Sequence, residues 1–162
     1  MLLSLSLSLL ALVPHLAHTT SPKYTCTTSA TRIKRSQPPT MAIVKKVTTK
    51  EFEQELQDCS TPIVLDVYAV WCGPCQLMAP QLEQVAAELG DSVRILKVDS
   101  DEEPEVADTL RIQGLPTLLF IQDMSVVMRA EGALMADELR KLIDYHFFDG
   151  PKPDIDGFQQ QS

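Results

Sequence analysis

The pattern of apolar and polar positions divides the chain after residue 41 into nine elements. "AIVKKV" (42–47) is a short apolar and basic strand pattern. "TTKEFEQELQDC" follows, with Thr48 and Glu51 spaced as a capping box, the reciprocal pairing of side chains and backbone that opens a helix. In that helix Phe52, Leu56 and Cys59 fall at i, i+4 and i+7 and share a face, which makes Cys59 a packing residue rather than a reactive thiol. Residues 63–69, "IVLDVYA", are nearly continuous in apolar character behind Pro62, as in a strand covered on both faces. One charge, Asp66, interrupts them.

Met78, Ala79, Leu82, Val85, Ala86 and Leu89 then recur at three and four residues until Gly90, which predicts a helix with Cys75 in its first turn and a bend at Pro80. Residues 93–99 read as a strand and "EEPEVADTL" as a short helix, with Pro104 near its start, where a missing N–H costs little. "PTLLFIQ" and "VVMRAE" read as strands joined through Asp123, Met124 and Ser125, a connection one residue longer than the tightest hairpin. The last helix is expected over 136–147, with Leu139, Leu142 and Ile143 on one side. The tail "DGPKPDIDGFQQQS" has no periodicity and reads as disordered. The order β α β α β α β β α implies an α/β fold, with parallel pairs where helices intervene and an antiparallel hairpin where they do not.

At 162 residues the chain holds one domain. Its charge is divided sharply. Residues 1–50 carry seven Lys or Arg and no acid, so all 22 Asp and Glu fall in 51–162 beside seven basic residues, a balance of −15. The acidic part cannot neutralise a run of phosphates, which argues against nucleic acid and toward partners with basic patches. "LLSLSLSLLALV" (2–13) is too short to span a bilayer and has the length of a signal-peptide core, whereas 19–40 are rich in Ser and Thr, basic and free of acid, as in a transit peptide. Residues 1–40 are therefore read as a targeting segment for a plastid, with a secretory lumen as the alternative. Cys26 leaves with them, Met41 begins the mature part, the domain is 41–148, and 149–162 are the tail.

Cys72 and Cys75 pose the chemical question. Zinc needs four ligands, and no second Cys or His pair stands near; His15 and His18 lie in the targeting segment and His146 in the last helix. A permanent disulfide closing so small a loop constrains the unfolded chain little. Redox exchange remains. Cys72 lies at a helix N-terminus, where unpaired N–H groups and the helix dipole favour an anion and so a nucleophilic thiolate. Cys75, one turn deeper, is shielded and suited to resolve a mixed disulfide. Gly73 admits a client backbone, Pro74 restricts the turn and Trp71 forms an apolar rim.

"WCGPC" preceded by "VLDVYAV", with "GLPT" at 114–117 and "EGAL" at 131–134, resembles the thioredoxin family over about residues 43–147. The resemblance implies a central five-stranded mixed sheet, three parallel strands and an antiparallel pair, flanked by four helices. It implies that Asp66 is a buried acid that helps deprotonate Cys75, that Lys97 is a buried lysine near it, and that Pro116 follows a cis bond facing Cys72. Leu115 would then offer its backbone to an extended client, and Gly132 would keep the docking surface flat. Tyr68 and Val70 depart from the family pattern, which more often has a tryptophan and a charged residue there, and Met135 stands where a Ser or Thr helix cap is common. "EGAL" and "CQLMAP" lean toward the plastid y-type. The implied activity is reduction of disulfides in target proteins, peroxiredoxins and methionine sulfoxide reductases among them. The implied electron donor is a thioredoxin reductase, ferredoxin-dependent in a plastid. No cofactor, metal or membrane is implied, and the chain is expected to be a monomer. A lumenal thiol oxidase or isomerase and a non-catalytic binding subunit are the alternatives. The absence of a His between the cysteines speaks against the first, and the presence of both cysteines and Asp66 speaks against the second.

Overall fold

The structure, a computed structural model, describes residues 44–58 and 60–155. The targeting segment, Cys26, Cys59 and residues 156–162 lie outside the described residues. So do residues 42 and 43, the first of the initial strand pattern. Five strands form one sheet in the order β1-β3-β2-β4-β5: β1 (Lys45–Lys46), β2 (Ile63–Tyr68), β3 (Arg94–Asp99), β4 (Thr117–Gln122) and β5 (Ser125–Glu131). The first three are parallel, and β4 runs antiparallel to both β2 and β5. The helices are α1 (Thr49–Gln57), α2 (Gly73–Leu89), α3 (Pro104–Thr109) and α4 (Ala136–Phe147). This is the thioredoxin fold that the motifs imply.

Sheet alternation sorts the core into two halves. Val64, Ile95, Leu118 and Phe120 face one side and pack with Met78, Leu82 and Val85 of α2 and Leu139, Leu142 and Ile143 of α4. Ile63, Leu65, Val67, Leu96 and Val98 face the other side and meet Phe52 of α1 and Val106 of α3. Because both faces are covered, β2 needs no alternation of polarity, and this explains its continuous apolar run.

Local chemistry sets the element ends. Thr48 caps α1 through the full box, its N–H donating to Glu51 Oε2 at 2.9 Å. Gly90, at φ 55, ends α2, and Pro80 lies inside that helix without ending it. At α4 the missing Ser or Thr is partly replaced. The Met135 N–H donates to Glu138 Oε2 at 2.8 Å, and the Ala136 N–H donates to Gln81 Oε1 of α2 at 3.0 Å.

The hairpin differs from its sequence reading. Gln122 pairs directly with Ser125, so the loop is only Asp123 and Met124, both with positive φ, as the twist of a tight hairpin requires. The extra residue sits instead in a bulge: Ile121 pairs with Val126 and Phe120 with Met128, leaving Val127 between them.

Beyond α4 the chain has no helix or strand over 149–155, yet it is anchored there. The Gly150 N–H donates to the Asp144 carbonyl at 2.8 Å, and Ile155 packs on the α2 side of the core. A Cβ on Gly150 would lie 2.9 Å from backbone atoms of Asp144. Gly150→Ala is therefore expected to cost about 1 to 2 kcal/mol, read as a lower urea midpoint. An unchanged midpoint would show that the segment after α4 gives way freely.

Candidate functional site

The candidate site lies where the chain leaves the C-terminal end of β2 and turns into α2. Cys72 is the N-cap of α2 with an extended backbone, and its Sγ accepts from the Cys75 N–H at 3.2 Å. Pro74 is in the first turn, where its missing N–H is no loss. The two sulfurs are bonded to each other, and both residues are buried. The structure is thus of the oxidised form. A Cβ at Gly73 would meet nothing within 4 Å, so nothing within the chain demands glycine there. Any steric demand would come from a molecule docking outside.

Three segments gather around the sulfurs. Tyr68 and Leu115 pack against the cluster of Ala69, Cys72 and Cys75. The Leu115–Pro116 bond is cis, and its loop is tied at both ends. Thr117 Oγ1 donates to the Gly114 carbonyl at 2.7 Å, and the Gly132 N–H donates to the Pro116 carbonyl at 2.9 Å. Gly132 stands at φ 97, a conformation that only glycine adopts without strain. Val70 and Trp71, which lead directly into Cys72, are exposed at 67% and 70%, leaving apolar surface uncovered beside a buried disulfide.

Trp71 is held in a way the sequence does not announce. Its Nε1 donates to Asp101 Oδ2 at 2.7 Å, and the Asp101 N–H in turn donates to Asp99 Oδ1 at 3.1 Å. Asp99 is buried. Asp99 ends β3 and Asp101 follows it in the acidic run, where spacing gives no hint of a partner thirty residues earlier. Only the parallel pairing of Tyr68 with Asp99 brings the two segments together.

Asp66 lies beneath the dithiol side of the sheet. Its neighbours two residues away on the same face are Val64, packed with Met78 of α2, and Tyr68, packed on the disulfide cluster. The carboxyl is buried, Oδ1 has no hydrogen-bond partner, and Lys97 is its register partner on β3. Burial pushes the Asp66 carboxyl up to about 7, against an opposing pull from the Lys97 ammonium. Lys97 itself is half-buried. A carboxyl that exchanges its proton near neutrality suits proton transfer in a thiol cycle.

Comparison with known proteins agrees with this geometry. Residues 43–145 match the thioredoxin family model. The chain is 39% identical over 110 residues to chloroplastic thioredoxin Y2 of Arabidopsis thaliana, covering 68% of this chain and 66% of that protein. It is 43% identical over 105 residues to the chloroplastic thioredoxin-like protein CITRX of Oryza sativa subsp. indica, covering 63% and 56%. With thioredoxin 1 of Synechococcus elongatus it shares 36% over 106 residues, 65% of this chain and 99% of that one. The alignments thus span about two thirds or less of the two plant proteins. Among solved structures it is similar to chloroplastic thioredoxin z, at 37% identity and a TM-score of 0.60, covering 64% of this chain and 93% of that one. With its motif, its sheet order and the family match across most of the described residues in agreement, the chain belongs to the thioredoxin family.

Proposed function

We propose that the chain is a thiol–disulfide oxidoreductase that reduces disulfides in client proteins through Cys72 and Cys75. The observation that carries this is the Cys72–Cys75 bond at the N-terminus of α2, with the Asp66 carboxyl, whose Oδ1 has no hydrogen-bond partner, buried on the same side. In the reduced form the Cys72 thiolate, favoured by the unpaired N–H groups of the first turn, attacks one sulfur of a client disulfide. A mixed disulfide forms, and the other client sulfur leaves as a thiolate. Asp66 takes the Cys75 proton, and the Cys75 thiolate attacks Cys72 Sγ, expelling the second client sulfur. Two electrons have moved to the client, and the oxidised pair seen here is what remains. Leu115 and Gly132 flank the path of an extended client, and Trp71, Gly73, Pro74 and Pro116 complete the docking surface. Lys97 tunes Asp66.

The full chain is expected to accelerate insulin reduction by dithiothreitol well above the rate of dithiothreitol alone. Equal rates would overturn the assignment.

The relatives named above from the two plants are chloroplastic, and no helix among the described residues is long and apolar enough to cross a membrane. Plastid stroma is the compartment that fits these relatives and the acid-free leader, with residues 1–40 as the targeting segment and 41–148 as the working domain, acting as a monomer. A ferredoxin-dependent thioredoxin reductase is then the donor, and peroxiredoxins and methionine sulfoxide reductases are among the clients. A fluorescent fusion of residues 1–41 should enter plastids. Accumulation in the secretory pathway would move both donor and clients elsewhere.

A further inference from the structure

β2 and β3 run parallel with Asp66 opposite Lys97 and Tyr68 opposite Asp99. Alternation turns Asp66, Tyr68 and Lys97 toward the α2 side, because Val64 and Ile95, two residues before Asp66 and Lys97, both pack there. Lys97 is thus beside Asp66 and one diagonal step from Tyr68. Its Nζ lies 5.8 Å from the centroid of the Tyr68 ring, within the range where a ring face attracts a cation. Asp66 Oδ1 meanwhile has no hydrogen-bond partner, so the ammonium does not satisfy that oxygen directly and acts on it through space.

We propose that Tyr68 is a positioning residue whose ring holds the Lys97 ammonium beside Asp66 and so governs how readily that carboxyl releases its proton. A lysine side chain that is only half-buried has an alternative, which is to extend its head into water. There its charge would be screened and its pull on Asp66 weakened. The ring removes that freedom. The surrounding charges do not replace it. From β1, Lys46 is opposite Lys97 in register and repels it, while its own Nζ is paired with Glu102 Oε2 at 2.5 Å. Asp99 and Glu102 act on Tyr68 rather than on Asp66. From β4 the residue opposite Asp66 is Leu118, and from α2 the disulfide carries no charge. Lys97 is the cation that counters the burial of Asp66.

The test reads the Asp66 carboxyl itself, by carbon-13 NMR titration of the oxidised full chain, and so needs no turnover. Tyr68→Leu is expected to move the Asp66 titration upward by about half a pH unit or more. Tyr68→Phe, which keeps the ring face, is expected to leave it in place. In a Lys97→Met background, Tyr68→Leu is expected to add nothing. A titration that stays put or falls in Tyr68→Leu, a shift of equal size in Tyr68→Phe, or the same rise without Lys97 would each overturn the proposal. The proposed catalytic role of Asp66 is judged separately, by the acidic limb of the pH profile for client reduction. A limb that ignores a shifted Asp66 would remove that role and leave the positioning by Tyr68 intact.

Discussion

Replacing Cys72 by serine is expected to reduce the insulin-reduction rate to that of dithiothreitol alone, a loss of at least about a thousandfold in enzyme-dependent turnover. The fold should survive, because position 72 is the N-cap of α2 and a serine hydroxyl is among the best acceptors for the N–H groups there. Loss of activity with an unchanged far-ultraviolet spectrum is therefore the expected pair of results. Cys75→Ser tests the other half of the cycle. Its Cys72 still attacks, yet nothing expels the second client sulfur, so a mixed disulfide should accumulate as a covalent adduct that dithiothreitol releases. An adduct on Cys72→Ser and none on Cys75→Ser would reverse the assigned roles. The geometry favours the assigned order: the Cys75 N–H donates to Cys72 Sγ, and Cys75 itself lies one turn further into the helix.

How much of this was legible in the sequence depended on whether a signal was local. The capping box at Thr48 and Glu51, the stop at Gly90 and the span of α4 are one-helix properties, and the structure has them where periodicity puts them. The hairpin differs because residues 122–126 show one residue too many for a tight turn, and a sequence does not say whether the surplus lies in the loop or in a strand. Pairing across the sheet decided it, by placing Val127 in a bulge. Asp66 was conspicuous as a charge within an apolar run, whereas Asp99 and Asp101 were hidden among other acids in "VDSDEEP". Their tie to Trp71 exists only after β2 and β3 have paired, and nothing in linear spacing encodes it. The tail lacks periodicity, so nothing in its sequence marks Ile155, which among the described residues packs against the core.

Asp66→Asn is expected to stabilise the oxidised chain, and the gain should grow with pH. The folded carboxyl is raised from its ordinary 3.8 to about 7 because burial disfavours its charge. Between those values the folded chain keeps a proton that the unfolded chain has released, so stability is greatest below about pH 4 and falls as pH rises toward 7. Above about 7 both states are ionised, and the folded chain carries the full burden of a buried charge whose Oδ1 has no partner. At about 1.4 kcal/mol per pH unit the gap converts to a ceiling of about 4 kcal/mol. Asparagine has the same shape and no charge to bury, so it escapes this penalty, although its own amide is left short of partners at a cost that does not vary with pH. Urea unfolding should therefore show the variant ahead by about 2 to 4 kcal/mol at pH 8, with the difference shrinking to about 1 kcal/mol or less near pH 4.5. A difference that is flat across this range would mean that Asp66 is ionised in the folded chain throughout, and the carboxyl would then have no proton to exchange near neutrality. The same substitution should slow client reduction, because the resolving cysteine loses its proton acceptor. A variant that is both more stable and slower would place the cost of this buried acid in the fold and its benefit in the chemistry.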